Sequence, residues 1–108
     1  MNFDSYQKQS RKTAIYPNLG DNYVYPTIAL SGEVGEVANK IKKLLRKDYV
    51  LDEKYRKELG KEIGDCLWYI AQLCTELGLS MDQIAKENIK KLLKRVKDDK
   101  IHGSGDNR

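Results

Sequence analysis

From Leu59 to Leu77 the apolar residues Leu59, Ile63, Cys66, Leu67, Ile70, Leu73, Cys74 and Leu77 recur with a period of about 3.6 residues. A pattern that long commits the segment to an amphipathic α-helix, and so broad an apolar stripe has to be covered by other helices. The rest of the chain supplies them. Phe3 to Ala14 reads as an amphipathic opener, with Asp4 or Ser5 near its start and Pro17, Asn18 and Gly20 ending it. Tyr16 to Tyr25 then forms a loop. A second helix is predicted from near Pro26 to about Arg46, its stripe made by Leu30, Val34, Val37, Ala38, Ile41 and Leu45. A short connection around Asp48 to Asp52 leads into the third. Gly78 closes that helix and Ser80 opens a fourth as N-cap, with Gln83 in the capping-box position and the end near Asp99. The expected class is all-α.

The chain has 108 residues, 40% of them hydrophobic, which suits one modest core and a single domain. That domain is expected to span residues 1–102. The remaining Gly103 to Arg108 has no apolar anchor and reads as a flexible tail. No stretch approaches the roughly 20 apolar residues that cross a bilayer, and Met1 to Gly20 lacks a signal-peptide core, so a soluble, cytoplasmic protein is expected. Cys66 and Cys74 lie eight residues apart on one predicted helix, about 12 Å along its axis, too far for a disulfide. Both read as buried thiols.

Two acidic steps carry the chemistry: Glu33-x-x-Glu36 and Glu62-x-x-Asp65, each beside glycine and flanked by apolar residues. Residues three apart on a helix point the same way, so two such helices side by side would gather four carboxylates. Oxygen-only donors suit Mg²⁺ or Mn²⁺, whereas zinc favours Cys and His. The number of such pairs proves nothing, because a chain with 16 acidic residues in 108 yields about two by chance. Their setting is more telling. Gly32, Gly35, Gly60 and Gly64 interrupt predicted helices at about 1 kcal/mol each relative to alanine, and close approach of another backbone or of a ligand is the expected reason. The ordinary alternative is surface pairing, such as Glu36 with Lys40.

The net charge is +4, with Lys and Arg concentrated after Lys40 and again from Lys86 to Lys100. Solvated helix faces and an anionic partner both fit that balance. On the fourth helix Asn88, Lys91 and Arg95 share one stripe beside Ala85, Ile89, Leu92 and Val96, as a triphosphate site would need and as a solvated face would also show. Glu62, Asp65 and Tyr69 share an edge of the third helix. Trp68 faces away from that helix's apolar centre, so it needs either an oligomer interface or cover from the first helix or the Tyr16 to Tyr25 loop of its own chain.

These segments, Leu30-Ser31-Gly32-Glu33-Val34-Gly35-Glu36-Val37, Glu62-Ile63-Gly64-Asp65-Cys66-Leu67-Trp68-Tyr69-Ile70 and Asn88-Ile89-Lys90-Lys91-Leu92-Leu93-Lys94-Arg95, together resemble the MazG-like nucleoside triphosphate pyrophosphohydrolases. That resemblance covers nearly the whole chain. It implies a four-to-five-helix bundle of the all-α NTP pyrophosphatase type, completed by oligomerisation as a homodimer or homotetramer. It also implies cleavage of NTP or dNTP between the α and β phosphates to a nucleoside monophosphate and pyrophosphate. By the same analogy Glu33, Glu36, Glu62 and Asp65 bind Mg²⁺, with Mn²⁺ as a substitute, Glu33 and Glu36 are catalytic, and Asn88, Lys91 and Arg95 hold substrate. Where the family often has a further acidic residue beside the first glutamate, this chain has Gly32 and Val34. The other classes that fit are a catalytically inactive nucleotide-binding module and, less well, a small basic protein that binds nucleic acid, for which no recognition helix is evident. Base preference is not encoded legibly, though Tyr16, Tyr23, Tyr25 and Trp68 could shape a pocket.

Overall fold

The computed structural model describes residues 1–98, and the expected tail at 103–108 lies outside them. Four helices follow in order, α1 (Phe3–Arg11), α2 (Val24–Leu45), α3 (Glu53–Glu76) and α4 (Met81–Lys97), and no strand occurs among the described residues. The regular structure of the described residues is all-helical, as the periodicity requires.

The starts of α1, α3 and α4 are each capped by a short polar side chain. The cap of α1 is Asn2, whose side chain accepts from the Ser5 N–H at 2.8 Å, and Asp4 and Ser5 fall near the helix start as expected. Asp4 lies in the first turn, where its charge favours the helix dipole. Asp52 caps α3 by accepting from the Tyr55 N–H, and Ser80 caps α4 by accepting from that of Gln83. The Gln83 side chain turns away to Glu87, so only half of the capping box forms. Helix α2 begins two residues before Pro26, which is tolerated because first-turn N–H groups have no helical partner to lose.

Gly78, at φ +69°, ends α3 in a Schellman turn. Its N–H reaches Thr75 O, and the Leu79 N–H reaches Cys74 O.

Helices α2 and α3 pack along one another, α1 packs on α3, and α4 runs chiefly against α1. The core is small. Ala71, Cys74 and Met81 form its centre with Tyr6 and Leu67 packed against them. Much of the predicted apolar face is uncovered in the single chain: Val34 is 53% exposed, Ile41 41%, Ile63 57% and Ile70 40%. The radius of gyration of 16.7 Å exceeds the roughly 13 Å of a compact chain this long. Among the described residues no helix is long and apolar enough to cross a membrane.

Trp68 is half-buried and donates its indole N–H to Thr13 Oγ1 at 2.8 Å, just beyond α1. Of the two covers open to it, its own chain provides one, through the segment that follows α1. Cys74 is buried as expected, while Cys66 is only half-buried. Both are free thiols.

Candidate metal centre

Halfway along the α2–α3 pair, Glu33 of one helix meets Glu62 and Asp65 of the other. One carboxylate oxygen from each lies within 4.8 Å of the other two. Glu33 and Glu62 are half-buried and Asp65 is exposed, placing the trio at the border of core and solvent. Glu36 is exposed one turn further along α2 and acts on Glu33 through its charge. Burial first, then the charges of Asp65, Glu62 and Glu36, push the Glu33 carboxyl above its ordinary value.

That combination fits a hard divalent cation. Octahedral ligands around one Mg²⁺ at 2.0–2.1 Å stand about 2.9 Å apart when adjacent and about 4.2 Å when opposite, so the trio has to draw together to share an ion directly or bridge to it through water. The charge that Glu62 and Asp65 place on Glu33 would be relieved by the same ion. The thiol of Cys66, beside the site, is pushed up by burial and then by Glu33, Asp65 and Glu62. It is a poor ligand in that state, because metal binds the thiolate.

Two tyrosines feel the charge of the carboxylates. Burial raises the Tyr69 phenol, with Tyr25, Glu33 and Asp65 adding to it, and burial with Asp65 raises that of Tyr6. Trp68 meets Tyr69 edge-on with centroids 4.9 Å apart.

The predicted cationic stripe is placed differently. Asn88 is exposed, Lys91 half-buried and Arg95 buried at 5% exposure, and both Lys91 and Arg95 are engaged by other residues. Because α4 follows α1, the stripe does not join the α2–α3 packing that assembles the carboxylates within one chain.

The expected close approach at the glycines is also not found. A Cβ added at Gly32, Gly35, Gly60 or Gly64 would meet nothing within 4 Å in the single chain.

Sequence reasoning missed Glu76. Its side chain is fully covered and accepts from Arg11 Nη2 (2.8 Å), Tyr16 OH (2.5 Å) and the backbone N–H groups of Gly20 (3.0 Å) and Asn22 (2.7 Å). Burial alone would push this carboxyl up. The hydrogen bonds from Tyr16, Asn22, Arg11 and Gly20 outweigh it and hold the group at about 2. The available signal was electrostatic: a glutamate ending a helix with no basic residue in its last turn opposes the helix dipole unless something pairs with it.

Comparison with known proteins agrees with the geometry. A family model for the MazG nucleotide pyrophosphohydrolase domain matches residues 27–99, the span that holds every site residue predicted above. The chain belongs to the MazG nucleotide pyrophosphohydrolase family. The Gene 37 protein of Mycobacterium phage L5 is 44% identical over 114 aligned positions covering the whole of both chains. No solved structure matches.

Proposed function

We propose that this chain is a Mg²⁺-dependent nucleoside triphosphate pyrophosphohydrolase, cleaving NTP or dNTP between the α and β phosphates to a nucleoside monophosphate and pyrophosphate. The observation that carries the reading is the convergence of Glu33, Glu62 and Asp65 at the α2–α3 crossing of a MazG-family chain. These three would hold the ion, with Glu36 completing the set and Mn²⁺ able to replace Mg²⁺. The bound ion supplies neutralisation of phosphate charge and a more acidic water. The carboxylates do the proton work: Glu33 and Glu36 orient the attacking water, and one of the two accepts its proton as its oxygen bonds to phosphorus and the bridging bond breaks toward pyrophosphate.

Asn88, Lys91 and Arg95 are assigned to the substrate's phosphates. Since α4 runs along α1 in its own chain, that role draws on assembly, and a homodimer or homotetramer is the proposed active form. The uncovered apolar residues on α2 and α3 support it. Nucleoside triphosphates are cytoplasmic solutes, and the proposed place of action follows theirs.

The test is pyrophosphate release from a panel of NTPs and dNTPs, compared with Glu36→Gln, which should abolish turnover while leaving helicity intact. Full activity in that variant sinks the assignment.

A further inference from the structure

Three of the four groups that donate to Glu76 come from residues 16–22. Beyond these bonds the loop is anchored at its start, where Tyr16 is buried at 7% exposure and accepts from Arg11 Nη1 at 2.7 Å, while Leu19 is 46% exposed. Asn18 and Gly20 both take positive φ within it, at 52° and 96°. The covered carboxylate is therefore the one group that ties Tyr16, Gly20 and Asn22 together and sets the path between them.

Asn22 passes that constraint to α2. Its N–H is held by Glu76, its Oδ1 accepts from the Tyr25 N–H at 3.0 Å, and its side-chain amide donates to Pro17 O. Tyr16, held by its hydroxyl, stacks on Tyr25 with centroids 5.1 Å apart and planes 10° from parallel. The guanidinium of Arg11 lies over Tyr16 on its way to Glu76. Tyr25 is thus fixed through its backbone and through its ring, and both routes lead to Glu76. The ring itself stays open, with the residue 42% exposed.

Tyr25, Ala29 and Glu33 follow at four-residue steps along one face of α2, so Tyr25 stands about 12 Å from Glu33 along the axis. At this end lies an open cleft of about 420 Å³ lined by Asn22, Val24, Tyr25, Ile28 and Ala29. Its apolar and aromatic lining contrasts with the carboxylates further along the helix. Of this lining, Tyr25 and Ala29 are the residues on Glu33's side of the helix, so a nucleotide with its phosphates at Glu33, Glu62 and Asp65 has Tyr25 within reach of its base.

From this arrangement we infer that Tyr25 is the stacking surface for the substrate's base, and that Glu76 is a positioning residue that sets Tyr25 through Asn22 and Tyr16. The inference rests on the pyrophosphohydrolase reading. Glu76 touches no reacting atom; it acts through the loop.

The experiment uses the full chain and a nucleotide that the wild type turns over. Steady-state pyrophosphate release is measured for Tyr25→Ala, Tyr25→Phe, Glu76→Gln and the Tyr25→Ala/Glu76→Gln pair, with folding checked by circular dichroism. Tyr25→Ala should raise KM about tenfold, the effect of losing one base–aromatic stack, with little change in kcat. Tyr25→Phe, which keeps the ring, should rescue that loss. Glu76→Gln should raise KM similarly, and the pair should be no worse than the larger single effect, because both act through one ring. Inhibition by inorganic pyrophosphate, which has no base, should be unchanged throughout. Should Glu76→Gln fail to fold, Tyr16→Phe takes its place, since it removes one donor and keeps the stacked ring.

An unchanged KM in Tyr25→Ala overturns the inference. So do additive effects in the pair or equal weakening of pyrophosphate inhibition, which would mark a general loss of structure. Absence of turnover in the wild type is a different result: it brings down the proposed activity and this inference with it.

Discussion

Replacing Glu62 by Gln removes one charge from the carboxylate cluster while keeping the side chain's size. Glu62 faces Glu33 and Asp65 with oxygens no more than 4.8 Å apart. At that separation two unit charges repel by about 1 kcal/mol at the dielectric of water and about 3.5 kcal/mol at an effective dielectric of 20. Glu33 and Glu62 are half-buried and Asp65 is exposed, so the lower figure applies to each pair. Side-chain rotation relieves part of the sum, leaving about 1 kcal/mol. Without metal, Glu62→Gln should therefore be more stable than the wild type by that amount, a rise of about 5 °C in Tm for a domain this size. With cation the order should reverse. An ion at ten times its Kd adds about 1.4 kcal/mol to the protein that binds it, and the variant has lost a ligand. Thermal unfolding followed by circular dichroism, first in EDTA and then in Mg²⁺ or Mn²⁺, measures both terms. Equal or lower stability of Glu62→Gln in EDTA, or an equal gain in both proteins with metal, would refute the reasoning.

Further predictions follow from other parts of the molecule. Glu76 has a folded pKa of about 2 against an ordinary 4.5, so its contribution is present above pH 4.5 and is lost as pH falls toward 2. That displacement corresponds to about 3 kcal/mol, trimmed to about 2 because Arg11 is 24% exposed, and an acid titration of stability should lose this limb in Glu76→Gln. Gly64→Ala should raise stability by about 1 kcal/mol in dilute protein, since its Cβ meets nothing, and a fall in Tm would mean the space is used by another chain. Light scattering should find the wild type as a dimer or tetramer, and Ile41→Glu, which puts a charge on the uncovered face of α2, should shift it toward monomer.

The helices were legible because period and capping act locally. The stripe from Leu59 to Leu77, the Ser80 cap and the Gly78 stop all needed only nearby residues. The geometry of the candidate site was half legible for the same reason: the i,i+3 spacing of Glu62 and Asp65 guaranteed a shared face, and pairing of two amphipathic helices brought Glu33 across. Nothing local said that α4 would lie along α1, so the direction of Asn88, Lys91 and Arg95 could not be read. Glu76 escaped because its donors lie 54 to 65 residues away in sequence, two of them backbone amides that carry no side-chain signature.

The most direct test of the central claim is pyrophosphate release by the wild type and by Glu33→Gln, each with Mg²⁺ and with EDTA, across NTPs and dNTPs. The account predicts release only from the wild type and only with the metal. Release that persists in EDTA or in folded Glu33→Gln, or none from any nucleotide by folded wild type, would contradict it.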